Sequence, residues 1–218
     1  MKLILASEGF YTEEIVAKCE ELVGKPRKSI SVAVINEAYA VERNNLTWVL
    51  DNLNNVRNNF GGNLELVNLL ALDIETVKQR LGENDVIFVV GGHTDYLMSV
   101  FNKSGLSKIL PELLKTKVYV GSSAGSMVIC KRLSTKAYDK IYVERKDYGV
   151  DKYLELVDIC FMPHLDSTHF PHRKETLFET VKDHTGAPVY GLRDDSAVVI
   201  NGNTITTIGS EPYILNNK

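Results

Sequence analysis

The chain has 218 residues, 44% of them hydrophobic, and a formal net charge of -3. That is enough apolar material for one sizeable buried core, expected here as a single domain over residues 1–218. Acids and bases are mixed along the chain, which excludes a basic face for nucleic acid or a polybasic membrane anchor, and no apolar run approaches the about 18 residues of a spanning helix. The opening "MKLILASEGF" reads as a first strand rather than a signal peptide. Cys19, Cys130 and Cys160 are odd in number and far apart, with no metal-ligand spacing. A reduced, cytoplasmic protein is expected, as a monomer or homodimer.

The predicted elements alternate. "KLILA" (residues 2–6) is a strand. Thr12 caps a helix with Glu13 and Glu14 in its first turn, and Gly24 stops it. "ISVAVI" (30–35) is a second strand. Val49, Leu53, Val56 and Phe60 line one helix face that ends at Gly61-Gly62. "LELVNLL" (64–70) is the next strand, and Asp73 caps "IETVKQRL", closed by Gly82. "VIFVV" (86–90) is apolar throughout, as a strand covered on both faces is. Helical stretches through "DYLMSVF" and "SKILPELLK" lead to the strand "VYV" (118–120). Residues 133–156 are polar and read as irregular. "VDICFMPH" (157–164) is a strand, "HRKETLFETVKDHTG" (172–186) a helix, and "AVVINGNTITTIG" (197–209) a hairpin about Asn201-Gly202-Asn203. Strands alternating with helices imply βαβ crossovers, hence an α/β fold: a three-layer, doubly wound, mostly parallel sheet with a C-terminal β-hairpin.

Three segments could carry chemistry. Gly121-Ser122-Ser123-Ala124-Gly125 fits G-x-S-x-G between a strand and a helix. It is either a plain Gly/Ser turn or a nucleophile corner. In the second case small flanks are needed because the turn is sharp, and the Ala124 N–H can face a developing oxyanion. Val90-Gly91-Gly92-His93-Thr94 leaves a buried strand at the edge where open α/β sheets bind ligands. Gly92 could supply a second oxyanion donor, or the glycines could serve only a tight turn. In Met162-Pro163-His164-Leu165-Asp166-Ser167-Thr168-His169, either histidine could take the serine proton. His164 follows the strand directly, and the sheet holds it more rigidly than His169, which could instead line the pocket. The two histidines and Asp166 also offer metal donors, but no further cluster with ligand spacing joins them, so neither metal nor cofactor is expected. Asp139 and Glu144 are candidates for the acid that orients the imidazole.

Taken in order, "VGGHT", "GSSAGS" and "MPHLDSTHF" resemble the segments of peptidase family S51, which includes dipeptidase E (α-aspartyl dipeptidase) and cyanophycinase. The likeness covers nearly the whole chain, including "VYGLRDDSAVVINGN". It implies a flavodoxin-like, class I glutamine amidotransferase-like fold and a cytoplasmic serine peptidase acting on small peptides, with no cofactor. It implies Ser123 as nucleophile, His164 as base, Gly92 and Ala124 as oxyanion donors, and an acid a short way past the serine, where Asp139 stands nearest. "VGG" replaces a triple glycine, and His93 stands where Asn is usual, which bears on the substrate pocket. A preference for an N-terminal aspartate would need a cation near the scissile bond, and Arg173 and Arg193 are the candidates. An α/β-hydrolase esterase shares the elbow, but in it the acid and histidine usually come late in the chain. A glutaminase would need Cys at the elbow, and Cys130 falls two turns further along the helix, where it reads as packing. A non-catalytic sensor for a peptide or amino acid is the alternative outside enzymes.

Overall fold

The computed structural model describes residues 1–43, 45–142, 147–181 and 186–215. The first half alternates as its periodicity requires: β1 (Lys2–Ala6), α1 (Glu13–Val23), β2 (Val32–Ile35), α2 (Thr47–Asn59), β3 (Leu64–Leu66), α3 (Ile74–Glu83), β4 (Val86–Val89), α4 (Thr94–Ser104), α5 (Leu106–Leu113) and β5 (Val118–Ser122). The second half holds α6 (Ala124–Met127), α7 (Thr135–Ile141), β6 (Cys160–Met162), α8 (Arg173–Thr180), β7 (Val189–Gly191), β8 (Ala197–Asn201), β9 (Thr204–Ile208) and β10 (Tyr213–Leu215).

The main sheet has seven strands in the order β3-β2-β4-β5-β1-β8-β9. The first five are parallel, and β8 and β9 close the sheet as an antiparallel hairpin. Strand alternation divides the core between two faces. Leu3, Leu5, Ile35, Ile87 and Val89 pack with Leu97, Phe101 and Leu110 of α4 and α5. Ile4, Ala6, Val34, Phe88 and Val120 pack with Ile15, Val16 and Cys19 of α1 and Val56 of α2. The result is the three-layer, flavodoxin-like α/β arrangement expected from the alternation. Every crossover of the parallel strands delivers its loop to the same carboxyl edge, which is where β1, β4 and β5 leave the sheet.

Several boundaries differ from the sequence expectation. The strand expected over 64–70 is only β3, because the chain turns after Leu66 and the Leu69 N–H donates to the Glu37 carboxylate. Helix α3 runs through Gly82 to Glu83. Residues 133–156 contain α7, with Ser134 accepting from the Ala137 N–H at its start. The strand expected over 157–164 shortens to β6 and belongs to a second, three-stranded sheet, β10-β7-β6, not to the main one. The helix expected to Gly186 is described as α8, and residues 182–185 lie outside the described residues. The three cysteines are buried and free, and burial pushes the Cys160 thiol up to about 11 and Cys130 well above the ordinary range. Among the described residues no helix is long and apolar enough to cross a membrane.

Candidate active site

β5 lies between β4 and β1, and its last residue, Ser122, is buried. The chain then turns sharply at Ser123, which takes φ 50° and ψ -111°, and enters α6 at once. A non-glycine residue held there stores roughly 1–3 kcal/mol, which the surroundings must offset. They do so by pinning the corner to β1. The Ser123 N–H donates to Ala6 O at 3.1 Å, and Ser126 Oγ donates to the same carbonyl at 2.7 Å. The flanking glycines are dictated by close approach. A Cβ on Gly121 would fall 2.5 Å from the Ser126 nitrogen, and one on Gly125 would fall 2.1 Å from Val89 O. The G-x-S-x-G pattern is therefore the imprint of α6 lying against the ends of β4 and β5.

His164 leaves β6 through Pro163 with φ 63° and is 8% exposed. Its N–H donates to Ser7 Oγ at 2.8 Å, and its ring stacks on Phe170 with centroids 5.1 Å apart. Nε2 lies 2.9 Å from Ser123 Oγ, and Nδ1 lies 2.6 Å from Asp194 Oδ1. An ionised carboxylate only accepts, so Asp194 holds the proton on Nδ1 and leaves Nε2 free to accept from the Ser123 hydroxyl. Ser7 Oγ donates to Asp194 Oδ1 at 3.3 Å. Burial pushes the Asp194 carboxyl up, but hydrogen bonds from His164, Ser167 and Ser7, with the His164 charge, outweigh it and hold the group below its ordinary value. Glu8 Oε2 stands 3.4 Å from the same Nδ1. Burial raises Glu8 above the ordinary glutamate value, and the Asp194 charge adds to this while His164 opposes it.

Ser123 and His164 are thus brought together, but the acid expected at Asp139 is not part of the cluster. Ala137 and Tyr138 turn inward on α7, which leaves Asp139 exposed, and Asp194 occupies the His164 nitrogen instead. Glu144 lies outside the described residues. The Gly91-Gly92 turn runs beside Ser123, since a Cβ on Gly91 would fall 3.0 Å from Ser123 Cβ. Gly92 has φ 131°, and a Cβ there would fall 2.4 Å from Ala38 O. Among the described residues, no backbone acceptor takes the N–H of Gly92 or Ala124.

The expected pocket residues separate. His93 is the N-cap of α4, its Nδ1 accepting from the Tyr96 N–H at 3.3 Å, with its ring edge-on to Tyr148. His169 is exposed. Arg173 lies over the Phe170 ring at 3.7 Å and donates to Pro163 O at 3.4 Å, one ring away from His164. Arg193 is engaged by Asp166 at 2.9 Å and by Tyr213. Asp166 also accepts from Lys174 at 2.9 Å, and these partners hold its carboxyl low, so it does not face His164 and His169 as a metal ligand. His164, Glu8 and Asp194 do offer donor atoms within 4.8 Å of one another, but the imidazole and Asp194 already share a short hydrogen bond. Ser7, Glu8, Phe170 and Asp194 were not foreseen as site residues. For Ser7, Glu8 and Asp194 the only signal is position: "SEG" follows β1 and "RDD" follows β7 at the edge where Ser123 stands, while Phe170 ends the "MPHLDSTHF" segment.

The model of peptidase family S51 matches residues 3–208. An uncharacterized peptidase of Listeria monocytogenes is 30% identical over 156 residues, covering 66% of this chain and 73% of that protein. Peptidase E of Shewanella oneidensis is 29% identical over 158 residues, 67% of this chain and 65% of that one. The crystal structure of a candidate peptidase E from Listeria monocytogenes has a TM-score of 0.75 at 25% identity, covering 96% of this chain and 98% of that one. A peptidase structure from an acI-B1 actinobacterium shares the fold, with a TM-score of 0.67 at 16% identity over 98% of this chain and 93% of that one. Because the family match runs from β1 to the end of β9, across every segment that carries Ser123, His164 and Asp194, the chain belongs to peptidase family S51 and is a serine-type peptidase.

Proposed function

We propose that this peptidase hydrolyses small peptides, as a dipeptidase does, with Ser123 as nucleophile, His164 as acid and base, and Asp194 as the carboxylate that orients the imidazole. The observation that carries this reading is the continuous chain from Asp194 Oδ1 through the His164 ring to Ser123 Oγ, with steps of 2.6 and 2.9 Å. In the first half-reaction the Ser123 hydroxyl proton passes to His164 Nε2 as Oγ bonds to the scissile carbonyl carbon. The oxygen that gains charge is received by the N–H groups of Gly92 and Ala124, each such donor being worth about 3 kcal/mol at the transition state. The C–N bond then breaks, and His164 returns the proton to the leaving amine. Water repeats the cycle on the acyl-enzyme, giving its proton to Nε2 and releasing the acid.

Arg173 supports a preference for an N-terminal aspartate. It is the cation beside Phe170 and Pro163, next to the base, whereas Arg193 is occupied by Asp166. Hydrolysis of Asp-Leu against a panel of neutral dipeptides, with Ser123→Ala as control, tests the reading. Turnover of the dipeptides by the wild type and none by Ser123→Ala is expected. Equal turnover by both proteins would overturn it.

A further inference from the structure

The loop leaving β1 carries a carboxylate that the scheme above does not use. Glu8 directly follows Ser7, whose hydroxyl accepts from the His164 N–H and donates to Asp194. Glu8 Oε2 is 3.4 Å from His164 Nδ1, and Asp194 Oδ1 is 2.6 Å from that same atom. Two carboxylates therefore converge on one ring nitrogen, one from the exit of β1 and one from the exit of β7. Glu8 is faced by His164 and His169 from the segment after β6, by Asp194, and by Asp51 of α2. Its burial and the two neighbouring aspartates all oppose a charge on it. Among the described residues its one ion-pair partner is His164. Of the two histidines that favour its charge, only the His164 ring stands within ion-pair reach, so the effect of this acid is exerted through that ring.

We propose that Glu8 is a positioning residue for His164: it shares the charge of the imidazolium with Asp194 during acyl transfer, and it accepts the Nδ1–H in place of Asp194 when that carboxylate is removed. The proposal rests on the reading of Ser123 and His164 given above. The proton traffic is unchanged by it. The Ser123 proton moves to Nε2, the Nδ1 proton stays on the ring, and neither carboxylate takes it. What changes is the anionic charge that the ring faces as it becomes an imidazolium. A second acceptor within reach also keeps the productive tautomer available when the first is lost.

The test uses the intact chain and a fluorophosphonate probe, so no substrate need be known. The second-order rate of labelling is measured from about pH 5 to about pH 9 for the wild type, Glu8→Gln, Asp194→Ala and the double variant, with thermal melting of each. Glu8→Gln is expected to label about threefold to tenfold more slowly near neutrality, and its acid limb is expected to move to lower pH, because an imidazolium with one fewer anion beside it loses its proton more readily. A purely structural role would move the melting temperature and leave that limb in place. Asp194→Ala is expected to lose about a hundredfold or more and still label measurably, and the double variant to lose at least about tenfold again. Glu8→Gln with the wild-type acid limb, or a double variant that labels as fast as Asp194→Ala, would overturn the proposal. Should Asp194→Ala fail to fold, the Glu8→Gln profile decides alone. Undiminished labelling of Ser123→Ala would instead defeat the underlying reading of the nucleophile, a failure distinct from that of Glu8.

Discussion

Gly125→Ala puts the geometry of the elbow to a quantitative test. The new methyl carbon would fall 2.1 Å from Val89 O, 2.8 Å from the Val89 carbonyl carbon and 3.1 Å from Val89 Cβ. A relaxed carbon–oxygen contact needs about 3.3 Å, so the two backbones must part by about 1 Å. Val89 cannot be the one to move, since β4 is held between β2 and β5 and Val89 is fully buried. Helix α6 must retreat, and it takes Ser123 with it, away from an imidazole that β6 and Ser7 hold in place. Misplacing a reacting atom by about 1 Å costs about a hundredfold in rate, or ~2.7 kcal/mol. Overpacking should cost about 1–3 kcal/mol of stability, which for a chain of this size lowers Tm by about 2–12 °C. Steady-state hydrolysis of a dipeptide and a thermal melt measure both effects. Gly24→Ala is the control. Gly24 has positive φ and nothing within 4 Å of a Cβ, so about 1 kcal/mol of stability should be lost there with activity intact. Wild-type kcat/KM and Tm in Gly125→Ala would refute the argument that close approach of α6 to β4 sets the position of Ser123.

Further outcomes follow from the same geometry. His169 is exposed and off the hydrogen-bonded chain, so His169→Ala should still label with a fluorophosphonate and raise KM at most; loss of labelling would make it the base. Arg173→Ala should lower kcat/KM for Asp-Leu by about tenfold or more relative to a neutral dipeptide, and an equal loss on both would return Arg173 to a packing role. Glu8 ionises at higher pH in the folded chain than in the unfolded one, so its charge opposes folding above its raised value and the penalty disappears below its ordinary value of 4.5. Glu8→Gln should therefore melt higher than the wild type at about pH 8 and equally at about pH 4. Asp194 has the opposite sign. Its lowered pKa contributes stability above the ordinary 3.8 that is lost as pH falls through the folded value, so Asp194→Ala should narrow its stability deficit in acid melts. Turnover should survive EDTA. Loss on chelation, restored by zinc, would shift attention to the donor atoms of His164, Glu8 and Asp194.

Local pattern carries the parallel layers and the sharp turn at Ser123 because both are local in sequence. A strand such as "VIFVV" declares its burial on two faces in five residues, and the elbow is one strand, one turn and one helix start. The Asp194–His164 contact joins residues 30 apart, and nothing in "RDDSA" announces which of its aspartates meets an imidazole. Asp139 is the nearest acid past the serine, yet α7 turns it outward. That helix itself was hidden, because its inward positions are held by Ala137 and Tyr138 within a polar stretch. The second sheet is invisible for a related reason: "VDICFMPH" reads as a strand, but its pairing with β7 joins segments far apart in sequence. Gly82 looks like a helix stop but lies within α3, since a glycine there costs only about 1 kcal/mol against the helix's other contacts.

The central claim is that Ser123 Oγ is the nucleophile and that His164 makes it one. The most direct measurement is fluorophosphonate labelling of the wild type and of His164→Ala, followed by mass-spectrometric mapping of the adduct. The wild type should carry a single adduct on Ser123, and His164→Ala, folded as judged by its melt, should carry none, because the hydroxyl has lost the Nε2 that stood 2.9 Å away. An adduct on Ser122, or labelling of His164→Ala at the wild-type rate, would contradict the account.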